Sequence, residues 1–291
     1  MLEWDVVCPI YRHLVQIKSL VDHLRLQKNV DIKNMVFPLT LSGEDEDQQI
    51  MDFLEENNIQ YFTETTETFS HSLTREKAIK KCKSKLVILL SQDVILFDEN
   101  ALYNLASKID DDYIYGFGRQ ICTNKSIEKY IRKKNYPEQN YTVSKEDIER
   151  MQLMAFFSSD AFSCINRDKF IELDGYQEYN IMFAEDMLYS KFLLDAGYKK
   201  VYAADAVVEH SHKYTLKQLY KRYYETGKFH AEIKVFDQYK STDSGMKLAL
   251  YVLKEALKHF DIPVLFRWLP DMSARYLGMR KGRKAKWKES F

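Results

Sequence analysis

The chain has 291 residues, 45 % apolar and 30 % charged, with Lys plus Arg equal to Asp plus Glu at 43 each. That length fills one large core, or one core with a helical appendage. The zero formal net charge argues against a polyanionic partner, so no nucleic acid is expected. Cys8, Cys82, Cys122 and Cys164 are scattered without a C-x-x-C pair, which fits free thiols in a reducing, cytosolic setting. No charged-then-apolar leader opens the sequence and no run of about 18 apolar residues occurs, so neither export nor a spanning helix is expected.

In chain order, WDVVCPIY (4–11) reads as a buried strand, and Leu14, Ile17, Leu20, Val21 and Leu24 follow at helical spacing. KNMVFPLTL (33–41) reads as a strand, 44–58 as a helix with acids toward its positive N-terminal end, IQYFTE (59–64) as a strand, and 72–82 as a helix. KLVILLSQD (85–93) is almost continuously apolar, as a parallel strand covered on both faces should be. This alternation predicts right-handed βαβ units and an open, mostly parallel α/β sheet with helices on both faces. Beyond Asp93 a helix is expected over 98–109, a strand at DYIYGFGRQ, a polar loop or surface helix over 123–147, and a strand running into a short helix over 154–176. From Thr215 the pattern is helical to about residue 260, with breaks at Pro263 and near Pro270. These patterns divide the chain into a domain over 1–230, with halves 1–95 and 96–230, and a helical extension over 231–291.

Ligands of open α/β sheets lie beyond the carboxyl ends of the strands, which selects Pro9 to Arg12, Thr40 to Asp45, Ser91 to Asp93 and Gly116 to Gln120. Asp93 follows five apolar residues in LLSQDVI, where a carboxylate holds a hard divalent cation or caps the next turn. His210 and His212, one residue apart on an extended segment, point to the same side and either share one ion or form a surface pair. Glu185 and Asp186 open a helix, a position the dipole favours for any acid. FSHSLTRE (69–76) reads as a helix start capped by Ser70 or Ser72.

Taken together and in order, FSHSLTRE, LLSQDVI, GFGRQ, FFSSDAFSCINRDKF, FAEDM and AVVEHSHKY resemble the motifs of family 2 glycosyltransferases of the GT-A fold, and within that family those of bacterial rhamnosyltransferases. The resemblance implies that Asp93 binds Mg²⁺ or Mn²⁺ bridging a nucleoside diphosphate, that Asp186 is the general base of an inverting displacement, and that Glu185 supports it or contacts the acceptor. It also implies metal-ligand roles for His210 and His212, phosphate contact for Arg75, and a donor site formed with Pro9, Ile10, Tyr11 and Gln92. Ser72 and Glu76 stand where the family has Gly and Asn. In FPLTLSGEDED the usual base-binding acid is missing, which leaves dTDP-rhamnose and a UDP-sugar both open as donor.

The implied partners are a nucleotide-sugar donor and a lipid-linked or oligosaccharide acceptor of surface-polysaccharide synthesis. The basic, Trp-containing segment LFRWLPDMSARYLGMRKGRKAKWK reads either as a contact with the inner membrane leaflet or as a packed helix with a solvated tail. A metal-dependent hydrolase is the competing enzyme class, but His-x-His comes late in the chain for that. A non-catalytic sugar-nucleotide-binding domain has no need of all of Gln92, Asp93, Glu185, Asp186, His210 and His212.

Overall fold

The computed structural model describes residues 2–239 and 244–285; the end of the basic tail, 286–291, lies outside them. The chain divides into two compact units, one of Met1–Gln120, Pro137–Glu146 and Phe156–His210, the other of Ile121–Tyr136, Asp147–Ala155 and Ser211–Phe291.

The first unit opens with β1 (Leu2–Val7), α1 (Leu14–Arg25), β2 (Val30–Val36), β3 (Leu39–Thr40), α2 (Glu46–Glu56) and β4 (Thr63–Glu64). It continues with α3 (His71–Lys81), β5 (Leu86–Leu90), α4 (Ala101–Ala106) and β6 (Tyr113–Ile121). The stretch expected as one strand over 33–41 is two. Pro38 has no N–H to give a ladder, so β2 ends at Val36, and Phe37 and Leu39 donate instead to the carbonyls of Gln60 and Phe62 at 2.8 and 2.9 Å. Residues 123–147, expected as a loop or surface helix, hold α5 (Glu128–Asn135) and β7 (Tyr141–Val143). After α6 (Ile148–Met151) come β8 (Phe162–Asn166), α7 (Arg167–Glu172), α8 (Glu185–Asp195) and β9 (Lys199–Glu209).

Seven strands form one sheet in the order β2-β1-β5-β8-β6-β9-β7. β1 runs parallel to β2 and β5. β8 is antiparallel to both β5 and β6, so β2, β1, β5 and β6 share one direction around a reversed strand. Leu86 to Leu90 of β5 are all buried, the signature of a strand covered on both faces.

The second unit gathers α5, α6 and the terminal helices α9 (Leu216–Glu232), α10 (Ser244–Lys258) and α11 (Ile262–Gly282). A capping box, Thr215 with Gln218, starts α9. Along α11, Gly278 and Gly282 lie one turn apart and face α9. A Cβ on Gly278 would meet the Tyr220 carbonyl, and one on Gly282 the Tyr224 carbonyl, so only glycine permits this approach. Ile127, Tyr130 and Ile131 of the α5 region pack with Val252, Ala256 and Val264 of α10 and α11. Pro263 does fall at a helix start, but the break expected near Pro270 is absent: Pro270 sits inside α11. It lies on the exposed side of the helix, as does Phe266, whose carbonyl loses its partner and is left to water.

Candidate active site

Backbone pairing builds the first half of the site. Beyond the end of β5, Ile95 exchanges hydrogen bonds with Glu209 at the end of β9, at 2.9 and 3.0 Å. Each partner is followed or preceded closely by a polar residue, and the pairing brings Asp93 Oδ1 to 3.4 Å from His210 Nε2. Gln120, in β6, accepts from His210 Nδ1 through Oε1 at 2.8 Å. That bond commits Nδ1 as the N–H nitrogen and leaves the Nε2 lone pair toward Asp93. A carboxylate oxygen and a fixed imidazole nitrogen form a donor set for a divalent cation. His212 is two residues further on, in the second unit, where its carbonyl accepts from Asn124 Nδ2 at 2.8 Å.

Gln92 spends its amide on the loop after β1. Tyr11 N–H donates to Gln92 Oε1 at 2.7 Å, and Gln92 Nε2 donates to the carbonyls of Tyr11 and Arg12 at 3.2 and 3.0 Å. This clamp holds Arg12 and His13 in left-handed backbone at φ 54° and 62°. Tyr11 is exposed, whereas the Ile10 side chain belongs to the core and its N–H and carbonyl are bonded to Pro38 and Thr40. The 42–47 loop is closed by Asp47, which accepts from the N–H groups of Ser42 and Gly43, both at 2.8 Å.

The second half is a cluster of acids. Ser70 caps α3 by accepting from Leu73 N–H at 3.1 Å, and one turn on Arg75, buried, pairs with Glu185 and lies 3.3 Å from His71 Nδ1. Asp186 accepts from Met187 N–H at 2.7 Å and from Asp160 N–H at 3.3 Å. Burial, reinforced by the charges of Glu185 and Asp160, pushes the Asp186 carboxyl well above the usual carboxylate range. Asp160 is raised as well, chiefly by burial, although Arg75 opposes the shift; its oxygens accept from Tyr115, Tyr176 and Ser163 at 2.7–2.9 Å.

Asp160 was not singled out in sequence because the stretch that holds it, SSDAF, reads as an ordinary turn before a strand, and its only signal is its place in a motif. Lys200 was missed too. It is fully buried in β9, donates to the Phe157 carbonyl at 2.7 Å and lies 3.3 Å from Ser190 Oγ. Burial drives its ammonium down to about 7, with Asp186 pulling the other way. The two departures from the family motif are both bonded: Ser72 donates to the Tyr179 carbonyl at 2.6 Å and accepts from Ile181 N–H at 2.9 Å. Glu76 accepts from Tyr176 N–H at 3.0 Å. Both side chains tie α3 to the loop that leads into the acids of α8.

The sheet order and its flanking helices define the GT-A fold of glycosyltransferases. Among solved structures it is similar to the mannosyltransferase PcManGT from Pyrobaculum calidifontis, in complex with GDP-mannose and Mn²⁺, at a TM-score of 0.55 and 13 % identity over 97 % of this chain and 73 % of that one. In sequence, the chain is 38 % identical over 178 residues to the O-antigen chain rhamnosyltransferase RfbN of Salmonella typhimurium, covering 60 % of this chain and 56 % of that protein. It is 36 % identical over 167 residues to the O-antigen chain rhamnosyltransferase WbaN of Salmonella anatum, covering 56 % and 53 %. The chain thus spans little more than half the length of these curated relatives. No family model matches it. The resemblance to family 2 rhamnosyltransferases read from the motifs fits these matches.

Proposed function

We propose that this chain is an inverting, divalent-metal-dependent glycosyltransferase that moves L-rhamnose from dTDP-rhamnose to a hydroxyl of a lipid-linked bacterial surface-polysaccharide precursor on the cytoplasmic side of the membrane. The observation that carries the reading is the pairing of two unlike sites in one unit: an Asp93–His210 donor set fixed through Gln120, and a buried acid, Asp186, with a raised pKa. In this reading Asp93 and His210 hold the cation, with His212 as a further ligand. Bound Mn²⁺ or Mg²⁺ supplies positive charge that stabilises the departing diphosphate.

Asp186, ionised, takes the proton of the acceptor hydroxyl as it attacks the anomeric carbon; its raised pKa makes it a stronger base than a solvated aspartate. Glu185, paired with Arg75, adds to the cost of ionising Asp186. Arg75 positions the acids, being turned toward Glu185. Gln92 orders the Tyr11–Arg12 loop, and Pro9 and Tyr11 offer its backbone and aromatic face to the nucleoside, with Ile10 supporting them from the core.

Turnover of a panel of nucleotide sugars by the purified chain with a lipid-linked acceptor, read as nucleoside diphosphate release with Mn²⁺, with Mg²⁺ and with EDTA, tests this. Release from dTDP-rhamnose, abolished by EDTA, is expected. Release from a UDP-sugar alone would replace the donor, and metal-independent release would remove the cation.

A further inference from the structure

α10 and α11, joined through Phe260 and Asp261, sort their outward side chains by polarity and charge. On α10, Met246, Leu250 and Leu257 recur at helical spacing and fall on one stripe; all three are exposed. On α11, Ile262, Phe266 and Leu269 form a second exposed stripe, with Phe260 at the turn between them. Phe260 is 84 % and Phe266 81 % exposed, whereas large apolar side chains in contiguous patches mark a contact surface. The stripe on α11 cannot turn inward, because the opposite side of the helix is fixed by Gly278 and Gly282 against α9.

The charges follow the same sorting. The acids of residues 244–285 are Glu255, Asp261 and Asp271, and each is drawn into the unit. Glu255, 9 % exposed, pairs with Lys133, and Asp271, 3 % exposed, with Arg267; Asp261 pairs with Lys129 and accepts from Tyr130. The exposed ionic side chains of this region are therefore all basic. Lys247, Lys254 and Lys258 flank the stripe on α10, and Arg280 and Lys281 close α11, followed by Arg283 and Lys284.

We propose that this face docks on an anionic lipid bilayer, with Phe260, Phe266 and the two stripes entering the headgroup boundary and the flanking bases meeting lipid phosphates. A second copy of the chain is disfavoured as occupant, since a two-fold contact would set these bases against their own equivalents. The sequence had pointed to the basic segment from Leu265 onward; the structure moves the apolar anchor upstream to Met246–Leu269. Among the described residues no helix is long and apolar enough to cross a membrane, so the contact is peripheral.

The test is co-sedimentation of the whole chain with vesicles of phosphatidylcholine, with and without phosphatidylglycerol, at low and high salt and without nucleotide sugar, so that its outcome is independent of the transferase reading. Binding at least ~10-fold tighter to the anionic vesicles, weakening with salt, is expected. Phe266→Ser with Leu269→Ser, and separately Lys254→Glu with Lys258→Glu, should each lower it at least ~10-fold with circular dichroism and melting temperature retained, since all four side chains are exposed. No binding by the unaltered chain, or equal binding by the variants, would overturn the proposal. Loss of a dimer in the Phe266 and Leu269 variant, with no vesicle binding by the parent, would overturn it and assign the face to a second copy.

Discussion

The two units use acids in opposite ways. In the second, four buried or half-buried acids each have their own cation: Glu128 with Arg275, Glu255 with Lys133, Asp261 with Lys129, Asp271 with Arg267. Lys133 holds Glu255 below the usual range, and Asp261, raised by burial, is brought lower overall by Lys129 and Tyr130, whereas burial raises Asp271 against the pull of Arg267. In the first unit Asp160, Glu185 and Asp186 gather around Arg75, and Asp160 and Asp186 are raised. What sets the first unit apart is that its acids raise one another: the charge of Glu185 adds to burial at both Asp160 and Asp186, which makes them a group that takes up a proton.

The largest expected break is in catalysis. Asp186→Asn should lower transfer by about 10³-fold or more. The same variant should melt higher at neutral pH. A folded pKa raised above the unfolded value of about 3.9 gives stability that is present below that value and lost as pH rises through the folded pKa. The stability gain of Asp186→Asn is therefore near zero at the acid end and grows toward neutrality. A gain that shrinks with rising pH would show that Asp186 is not strained by its neighbours.

Next, Arg75→Met should cost about 3–5 kcal/mol in chemical denaturation, because it leaves buried acids uncompensated. Lys133→Met, at a pair whose lysine is mostly exposed, should cost at most about 1 kcal/mol. Equal losses would erase the contrast between the units.

Smaller still, Lys200→Met should stabilise by about 1 kcal/mol or more at pH 7. With its pKa lowered from 10.5 to about 7, the unfolded chain binds more protons between those values, so the native protein gains stability as pH rises across that window. The variant's advantage should shrink from pH 7 toward pH 10, and melting curves at both ends measure it. Ser72→Ala should cost about 1 kcal/mol by removing one bridge to the 179–181 loop, read by thermal unfolding.

The residues that carry local signals were legible: the apolar run of β5, the helical spacing of α1, the Ser70 cap, and the acids and imidazoles set in recurring motifs. A polar side chain within three residues of a buried strand's end marks a candidate position without tertiary information, as Asp93 and His210 do. Pro270 misled because its effect depends on which side of a helix it falls. Residues 123–147 misled because α5 is stabilised by contacts with α10 and α11 rather than by its own mostly polar sequence.

What the sequence by itself determined, then, is the alternation of strands and helices, and through it which residue types stand at the strand ends, since periodicity and burial act within a single element. Only the tertiary structure decided that β8 runs backwards between β5 and β6, that Gln120 fixes His210, that Asp160 and Asp186 share one guanidinium, and that the acids of α10 and α11 face inward. Each of these depends on charges and bonds between segments far apart in the chain, and their free energies exist only once the segments are packed.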